Sequence, residues 1–395
     1  MVGMDASAAR GGLRPQSRPS RRERHGMMPE GGAGRSGAPR VLVVSGSMGA
    51  GHDGAARELV RRLRGRGADT VSHDFLDALP PVHRPLLKGW HTFTARHTPR
   101  LFDWADRGQE RESVVRELTR RVCRTARREV ARWAAGGFDA AVSVFPLATQ
   151  TLGMLRADGE LGTPVVCCLT DPAPNRLWVH PGVDLYLTVF EATAVEAAER
   201  YGVTMSVGGP LVAAAFRRPV DETVRRAVRQ RLGVPPGRLM VLMVAGALGS
   251  GEVMASVAAV RDVPGTAAVV LCGRNDRLRR KAARLPGVVA LGWCDDVPQL
   301  MAAAEVLVHN AGGLSLTEAL VAGLPAVSYQ VLAGHGRQNA VTLARAGLVP
   351  WPRTPGELAD ALHRQASRGR MPLLPEASPG TAEVIEALAL RGRTG

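Results

Sequence analysis

The sequence predicts an α/β protein with two domains, each built around a parallel sheet. The first observation is a series of short apolar runs that alternate with helical patterns from Arg40 onward, as repeated βα units do. The second is that the pattern restarts at a strand over residues 239–244, which a glycine-rich loop follows. The third is the length of 395 residues, which exceeds what one hydrophobic core usually supports. We therefore expect two Rossmann-like domains.

The chain divides into three parts on this interpretation. Residues 1–39 are rich in Gly, Arg, Ser and Pro without a hydrophobic period, and we expect a disordered basic tail. Residues 40–216 form the predicted N-terminal domain. Residues 217–395 form the predicted C-terminal domain, whose last helix could pack back on the first, and the charged, proline-bounded segment 217–236 is the predicted linker. Met27 and Met28 lie close to the first predicted strand, and translation could start there.

Each domain has its own set of predicted strands, read from apolar runs bounded by turn residues. Those of the N-terminal domain cover residues 41–44, 140–144, 164–169 and 184–189. Those of the C-terminal domain cover residues 239–244, 266–271, 288–291, 306–308 and 326–329.

Composition restricts the class of partner and the compartment. The formal net charge of +15 favours an anionic partner, whether a nucleotide, an acidic lipid surface or a nucleic acid, but no DNA- or RNA-binding module accompanies it. The five cysteines form no C-x-x-C pair and no metal-like spacing, which favours a reduced, cytoplasmic setting. Because no stretch approaches the roughly 18 to 20 apolar residues of a transmembrane helix, we expect any membrane contact to be peripheral.

A glycine–histidine loop, residues 45–52, joins the first predicted strand to its helix. Its glycines let the backbone approach a ligand closely, and the helix N-terminus offers free N–H groups. The glycine order is G-x-x-G-x-G, and no Lys-Ser/Thr follows, which disfavours an NAD or ATP site. His52 ends the loop, and its imidazole is suited to take a proton from a hydroxyl. A histidine that only helps to cap the helix is an equally good interpretation of the spacing.

A second glycine turn, residues 310–313, lies between the strand ending at His309 and a helix. Its backbone N–H groups could bind a diphosphate, and Glu318 could accept hydrogen bonds from both ribose hydroxyls. However, residues 315–318 also read as a capping box, in which Glu318 satisfies only the backbone of Ser315. The residues alone favour the cap.

A third loop, residues 333–339, leads into another helix and is named the sugar loop below. His335, Gln338 and Asn339 could hydrogen-bond sugar hydroxyls, which need donors and acceptors at fixed positions. Each of them could equally be a solvated loop residue.

Together these motifs resemble the monogalactosyldiacylglycerol synthase family, which includes bacterial processive diacylglycerol glucosyltransferases. They resemble more distantly the enzyme that adds N-acetylglucosamine to the lipid-linked peptidoglycan precursor. The resemblance spans about residues 41–348. It is carried in order by residues 49–52, the S-x-x-P-L segment 143–147, Thr170-Asp171 with Trp178-Val179-His180, residues 272–275, Gly292, residues 312–319 and residues 323–325.

The resemblance implies a GT-B fold of the glycosyltransferase family 28 type, with two domains facing a central cleft. It implies a UDP-sugar donor and inverting transfer of a hexose to a lipid acceptor such as diacylglycerol, with no cofactor and no metal required. His52, as the base, and Asp171 would lie near the acceptor, with Gly49 and Gly51 in the acceptor loop. The donor would be bound by Gly246, Gly249, Arg274, Gly312, Gly313 and Ser315, with Glu318 on the ribose and His335, Gln338 and Asn339 on the sugar.

Two departures from the family pattern concern the donor. Relatives have P-G-Q-E-x-x-N in the sugar loop, so the expected Gln and Glu are replaced here by His335 and Gly336, which leaves the donor sugar open. Relatives also often carry Lys where Asn310 stands, and Arg274 would then supply the charge near the phosphates.

A lipid acceptor requires a surface that contacts the membrane. Leu86, Leu87, Trp90 and Phe93 lie among basic residues, as interfacial segments do, and they are the predicted membrane contacts. An apolar helical stripe from Val115 to Trp133 is a second candidate, although packing on the sheet explains it better. We expect a cytoplasmic protein bound to the inner face of the cell membrane. The alternatives are a GT-B enzyme with a non-lipid acceptor, a nucleotide-sugar epimerase, and a nonenzymatic UDP-sugar sensor.

Overall fold

A computed structural model describes residues 37–87, 89, 93 and 98–391. Residues 1–36 of the predicted tail lie outside the described residues, as does Trp90. Each predicted strand is present, and the two-sheet prediction is confirmed.

The first sheet has six parallel strands in the order β2-β1-β3-β4-β5-β6. The strands are β1 (Arg40–Ser45), β2 (Asp69–Asp74), β3 (Ala140–Ser143), β4 (Val165–Leu169), β5 (Leu185–Thr188) and β6 (Ser206–Val207). The helices are α1 (Ala50–Gly65), α2 (Pro99–Gln109), α3 (Val114–Ala134), α4 (Pro146–Ala157) and α5 (Glu191–Tyr201), with short 3-10 helices at Phe75–Ala78 and Arg176–Trp178. Leu42 and Val44 pack into one core and Val41 and Val43 into another, because helices cover both faces of the sheet.

The second sheet has five parallel strands in the order β11-β10-β7-β8-β9. The strands are β7 (Leu239–Val244), β8 (Thr266–Leu271), β9 (Val288–Leu291), β10 (Val306–His309) and β11 (Ala326–Ser328). The helices are α6 (Glu222–Arg231), α7 (Val253–Arg261), α8 (Asp276–Ala282), α9 (Val297–Ala303), α10 (Leu314–Val321), α11 (His335–Arg345) and α12 (Pro355–Arg368). The segment predicted as a linker thus contains α6, whose Val228 is buried in the core of this second half.

The final helix, α13 (Thr381–Arg391), packs beside the first sheet. Its Ile385 and Ala389 are buried in the same cluster as Leu59 of α1. At the start of the helix, the backbone N–H of Thr381 donates to the carbonyl of Gly208, at 2.7 Å. The chain therefore passes between the two halves twice, once after β6 and once before α13, and the two passages are hydrogen-bonded to each other.

The apolar stripe of α3 is only partly buried. Ala126 and Val130 are in the core, and Val122 and Trp133 pack against it, as the sheet-packing interpretation predicts. At the N-terminal end of the helix, in contrast, Val114 and Leu118 are exposed. Within the described residues, no helix has the length and apolar character needed to cross a membrane.

Candidate functional site

The glycine–histidine loop follows the carboxyl end of β1 and is held by two carboxylates. Ser45 Oγ and Ser47 Oγ donate to the two oxygens of Asp53, at 3.2 and 2.9 Å. The backbone N–H of Ser47 donates to Asp74 Oδ1 at the end of β2, at 3.1 Å. Gly49 is the N-cap of α1 and makes no side-chain cap bond, so the N–H groups of the first helical turn face the loop without a capping side chain.

His52 lies in the first turn of α1 and is half-buried. Its Nδ1 is 3.3 Å from Thr170 Oγ1, and its ring meets Phe145 edge-on with 5.3 Å between ring centroids. Burial lowers the pKa of His52, and this effect outweighs the opposing influences of Asp171 and of a backbone hydrogen bond with Val144. The imidazole is therefore neutral at pH 7 and able to accept a proton.

Asp171 follows β4 and lies close enough to His52 to affect its titration. Its Oδ2 accepts a hydrogen bond from Trp178 Nε1, at 3.1 Å, and Trp178 is fully buried with its ring 6.0 Å from that of His52. The structure thus brings together the two residues predicted to lie near the acceptor, and the indole fixes the carboxylate.

The N-terminal turns of α1 and α10 meet across the cleft. Helix α1 follows a strand of the first sheet, and α10 follows a strand of the second. A Cβ atom on Gly51 would lie 3.6 Å from Leu314 Cβ, and one on Gly54 would lie 2.4 Å from Leu314 Cδ2. The approach is tight at Gly54, where any side chain would displace Leu314, and it is an ordinary van der Waals contact at Gly51. His52 is consequently one residue from the point where the two halves touch.

The glycine turn after β10 is fixed by a buried histidine. His309 Nδ1 accepts a hydrogen bond from the backbone N–H of Gly312 at 3.0 Å, and its Nε2 is 3.0 Å from Ser328 Oγ. Burial lowers the pKa of His309 to about 4, so the ring is neutral. Asn310 Nδ2 donates to the Ser250 carbonyl, at 2.8 Å, which ties this turn to the loop after β7.

Glu318 is a half-buried residue of α10. The helix begins at Leu314 with Gly313 as its N-cap, so Ser315 is inside the helix and the predicted capping box is wrong. Within the described part of the chain, the Glu318 carboxylate makes no hydrogen bond or ion pair. Burial raises the pKa of Glu318 to about 8, because the ionised carboxylate loses hydration there.

The loops after β7 and β8 pack closely together. Gly273 has φ +58°, and a Cβ atom there would lie 2.4 Å from the Gly246 carbonyl oxygen, so no other residue fits. The backbone N–H of Arg274 donates to the Ala247 carbonyl, at 2.9 Å. Gly246 and Gly249 also have positive φ, at 69° and 58°.

A cation–π pair stands beside these loops. The Arg274 guanidinium lies over the ring of Trp293, 4.6 Å from its centroid, and Trp293 is exposed. Trp293 was not among the predicted site residues, although an aromatic residue directly after Gly292 at the end of β9 is a signal that the sequence contains.

The sugar loop is covered by α2 from the first half. The backbone N–H of Gly334 donates to Asp103 Oδ1 at 3.2 Å, and Gln338 Nε2 donates to Asp106 Oδ2 at 2.9 Å. His335 meets Phe102 edge-on, with 5.6 Å between ring centroids.

Asn339 has both of its side-chain polar atoms occupied. Its Oδ1 accepts from the backbone N–H of Ala173 and its Nδ2 donates to the Ala311 carbonyl, both at 2.9 Å, and the residue is only 1% exposed. In this conformation Asn339 joins the loop after Asp171 to the glycine turn. A role in binding sugar remains a prediction.

The predicted membrane residues do not share one environment. Leu86 and Phe93 are exposed, at 62% and 55%, whereas Leu87 packs against the core of the first half. Within the described residues, no group of three or more His, Cys, Asp or Glu side chains is placed to hold a metal ion.

Solved structures with the same arrangement define the class of fold. The chain is similar over 90% of its length to the spinosyn rhamnosyltransferase SpnG complexed with thymidine diphosphate, with 15% identity, a TM-score of 0.53 and 95% of that chain covered. It is similar over 90% of its length to Anabaena Alr3699/HepE in complex with UDP-glucose, with 18% identity, a TM-score of 0.50 and 94% of that chain covered. These likenesses confirm the GT-B fold. The two sheets and the cleft between them have the GT-B arrangement.

The sequence comparisons confirm the family resemblance. Residues 52–207 match the family model described as monogalactosyldiacylglycerol (MGDG) synthase, and residues 241–367 match that of glycosyl transferases group 1. The chain is 22% identical over 339 residues to the processive diacylglycerol beta-glucosyltransferase of Staphylococcus epidermidis, covering 81% of this chain and 83% of the relative. The Bacillus mycoides protein of the same description is 22% identical over 336 residues, covering 78% and 81%. The prediction of a glycosyltransferase is thereby confirmed.

Proposed function

We propose that this chain transfers a hexose from a UDP-sugar to a lipid acceptor such as diacylglycerol, with inversion at the anomeric carbon. The observation that carries the proposal is the meeting of the α1 and α10 N-termini at Gly51 and Leu314. This contact puts the neutral His52 of the N-terminal half beside the N-terminus of α10 in the C-terminal half, where an anion can bind. The names of the bacterial relatives supply the acceptor class.

The donor half has the groups that a nucleoside diphosphate requires. The N–H groups of the glycine turn and of the first turn of α10 point at a diphosphate in this proposal, and the helix dipole favours its negative charge. The unpartnered carboxylate of Glu318 accepts hydrogen bonds from the ribose hydroxyls. Arg274 adds positive charge, and the exposed ring of Trp293 offers a stacking surface to the base.

The acceptor half supplies the base. An acceptor hydroxyl that replaces Thr170 Oγ1 at His52 Nδ1 gives its proton to the imidazole while its oxygen attacks the anomeric carbon. The bond from that carbon to the UDP oxygen breaks, and its electron pair leaves on the diphosphate, which the α10 N-terminus stabilises. Asp171 stabilises the imidazolium that forms, because its carboxylate favours the protonated ring.

A membrane surface for the acceptor is part of the proposal. Among the described residues between 86 and 118, five large apolar side chains are exposed: Leu86, Phe93, Trp104, Val114 and Leu118. The net charge of +15 favours a bilayer with anionic lipids. We place the enzyme at the inner face of the cell membrane on this basis.

The direct test is UDP release from a panel of UDP-sugars, with and without liposomes that contain diacylglycerol. Release with one donor only when the liposomes are present supports the lipid transferase and names its sugar. Binding of UDP without release on any liposome contradicts the lipid acceptor.

The exposed apolar residues give a membrane prediction. Trp104→Ser combined with Leu118→Ser should lower the liposome-bound fraction several-fold in a flotation assay, because apolar burial at the interface is lost. UDP affinity should not change. Met371→Ser is the matched control, since Met371 is similarly exposed, at 54%, but lies in the C-terminal half. Equal liposome binding by the double variant and the control would contradict the assignment.

Contact between α1 and α10 gives a closure prediction. Gly54→Val should lower turnover at least tenfold, because a branched side chain there collides with Leu314 and holds the halves apart. Adding Leu314→Ala should restore much of the activity. Gly65→Val is the control, since Gly65 is the last residue of the same helix and has open space around it. Steady-state kinetics of the wild type and the three variants measure the effect on turnover. If Leu314→Ala does not restore activity to Gly54→Val, the closure of the two halves is contradicted.

A further inference from the structure

The sugar loop lacks a carboxylate and has no room for one at the position where relatives carry Glu. A Cβ atom on Gly336 would lie 2.9 Å from Leu332 Cβ and 3.3 Å from the Asn310 carbonyl oxygen. Both contacts are tighter than side chains normally make, and the second is to backbone. A glutamate at residue 336 would require this loop to move, so in the present conformation a carboxylate on the sugar must come from another element.

Asp106 on α2 is the carboxylate that lies against the loop. A Cβ atom on Gly334 would lie 2.8 Å from Asp106 Cβ, so this helix touches the loop backbone. One carboxylate oxygen of Asp106, Oδ2, accepts from Gln338 Nε2 at 2.9 Å. The chain separation of the pair is 232 residues, so the contact bridges the two halves of the protein.

One of the two carboxylate oxygens of Asp106 remains available to accept a hydrogen bond from a ligand. Within the described residues, its Oδ1 makes no hydrogen bond, and neither ring nitrogen of His335 makes one. Burial raises the pKa of Asp106 to about 6, while the charge of nearby His335 opposes the rise. At pH 7 the group is therefore mostly an ionised acceptor beside a histidine in the first turn of α11.

We propose that Asp106, a residue of the N-terminal half, accepts a hydrogen bond from a hydroxyl group of the donor sugar. Together with His335 it takes the place of the carboxylate that the sugar loop lacks. The inference rests on the proposed function. It makes Asp106 a specificity-determining residue and sets the donor class: a neutral hexose, whose hydroxyls donate to a carboxylate, is accepted. A hexuronate donor is disfavoured, because its own carboxylate repels Asp106.

The test measures the affinities of UDP, UDP-glucose, UDP-galactose and UDP-glucuronate by calorimetry, for the wild type and Asp106→Asn. The asparagine keeps an oxygen for Gln338 and nearly the same shape, which protects the fold. We expect UDP to bind equally to both proteins, within twofold. The neutral UDP-hexose preferred by the wild type should bind about tenfold more weakly to the variant, because a charge-assisted hydrogen bond is lost. Its preference over UDP-glucuronate should shrink.

The control Asp103→Asn distinguishes a displaced sugar loop from a lost hydrogen bond between Asp106 and the sugar. It weakens the neighbouring contact to Gly334 and leaves the carboxylate of Asp106 in place. This control should retain the preference for UDP-hexose over UDP. The inference is overturned if Asp106→Asn weakens UDP and UDP-hexose alike, if it weakens neither, or if the control matches it. If the wild type binds no UDP, the proposed function is overturned as well. If the wild type transfers sugar normally and Asp106→Asn has the same affinities as the wild type, only the role of Asp106 is overturned.

Discussion

Replacing His52 with alanine should lower turnover by about 100- to 10,000-fold, the usual contribution of a positioned general base. The affinity for UDP should stay within twofold of the wild type, because the residues proposed to bind UDP belong to the other half of the protein. The reason for the loss is that His52 Nδ1 lies 3.3 Å from Thr170 Oγ1, where the acceptor hydroxyl is proposed to enter and to give up its proton.

Single-turnover kinetics with saturating donor, together with UDP calorimetry, measure both quantities. His363→Gln is the matched control, since His363 is an exposed histidine on α12, and its turnover should equal that of the wild type. His52→Ala with full turnover would remove His52 from the chemistry. Equal losses of turnover and of UDP affinity would instead indicate that the loop had collapsed.

Replacing Glu318 with glutamine should weaken UDP binding by about tenfold at pH 8 and, at the same time, stabilise the free enzyme by about 1 to 3 kcal/mol. Both effects have one cause. The free enzyme keeps a carboxylate buried without a partner, which costs stability, and the ribose hydroxyls provide that partner only when the nucleotide binds.

The pH dependence follows from the sign of the shift. The folded-state pKa of Glu318 is about 8, above the value of 4.5 expected in the unfolded chain, so the folded state holds the proton more tightly. The contribution of Glu318 to stability is therefore most favourable below pH 4.5 and is lost as the pH rises to about 8. Glu318→Gln should remove this slope. UDP affinity should rise with pH up to about 8 in the wild type and stay flatter in the variant, because the ionised form accepts the ribose hydroxyls.

Denaturant unfolding and UDP calorimetry at pH 6, 7 and 8 would check both parts. Glu357→Gln is a suitable control, since Glu357 belongs to the capping box of α12, where glutamine makes the same bond, so UDP affinity and its pH dependence should not change. A Glu318→Gln variant that gains stability but binds UDP as tightly as the wild type would contradict the ribose assignment.

Local sequence patterns predict the interior of both sheets, because buried parallel strands are continuous apolar runs. The two strands that the patterns miss are edge strands of the first sheet. Asp69–Asp74 is mostly polar, and Ser206–Val207 is two residues long and exposed. Edge strands bury little surface, so their pairing depends on the neighbouring strand more than on their own composition.

The site shows where local patterns reach their limit. The glycine loops and His52 are visible because each lies within a few residues of a strand end. The capping-box error arises because the helix starts at Leu314, two residues earlier than the pattern requires, in a turn that His309 holds through the backbone N–H of Gly312. Asp103 and Asp106 were missed because their contacts join segments more than 230 residues apart, and no spacing rule reports such a contact.

The double passage of the chain between its halves, near Gly208 and Thr381, determines what kind of motion the enzyme can use. A single connection would allow the halves to swivel freely. Two connections that lie side by side should act as a hinge line, since a Cβ atom on Gly208 would already be 2.6 Å from Thr381 Oγ1 and the two segments have no room to slide past each other. The halves can then open and shut about one axis, and each closing stroke returns His52 to the same place opposite α10.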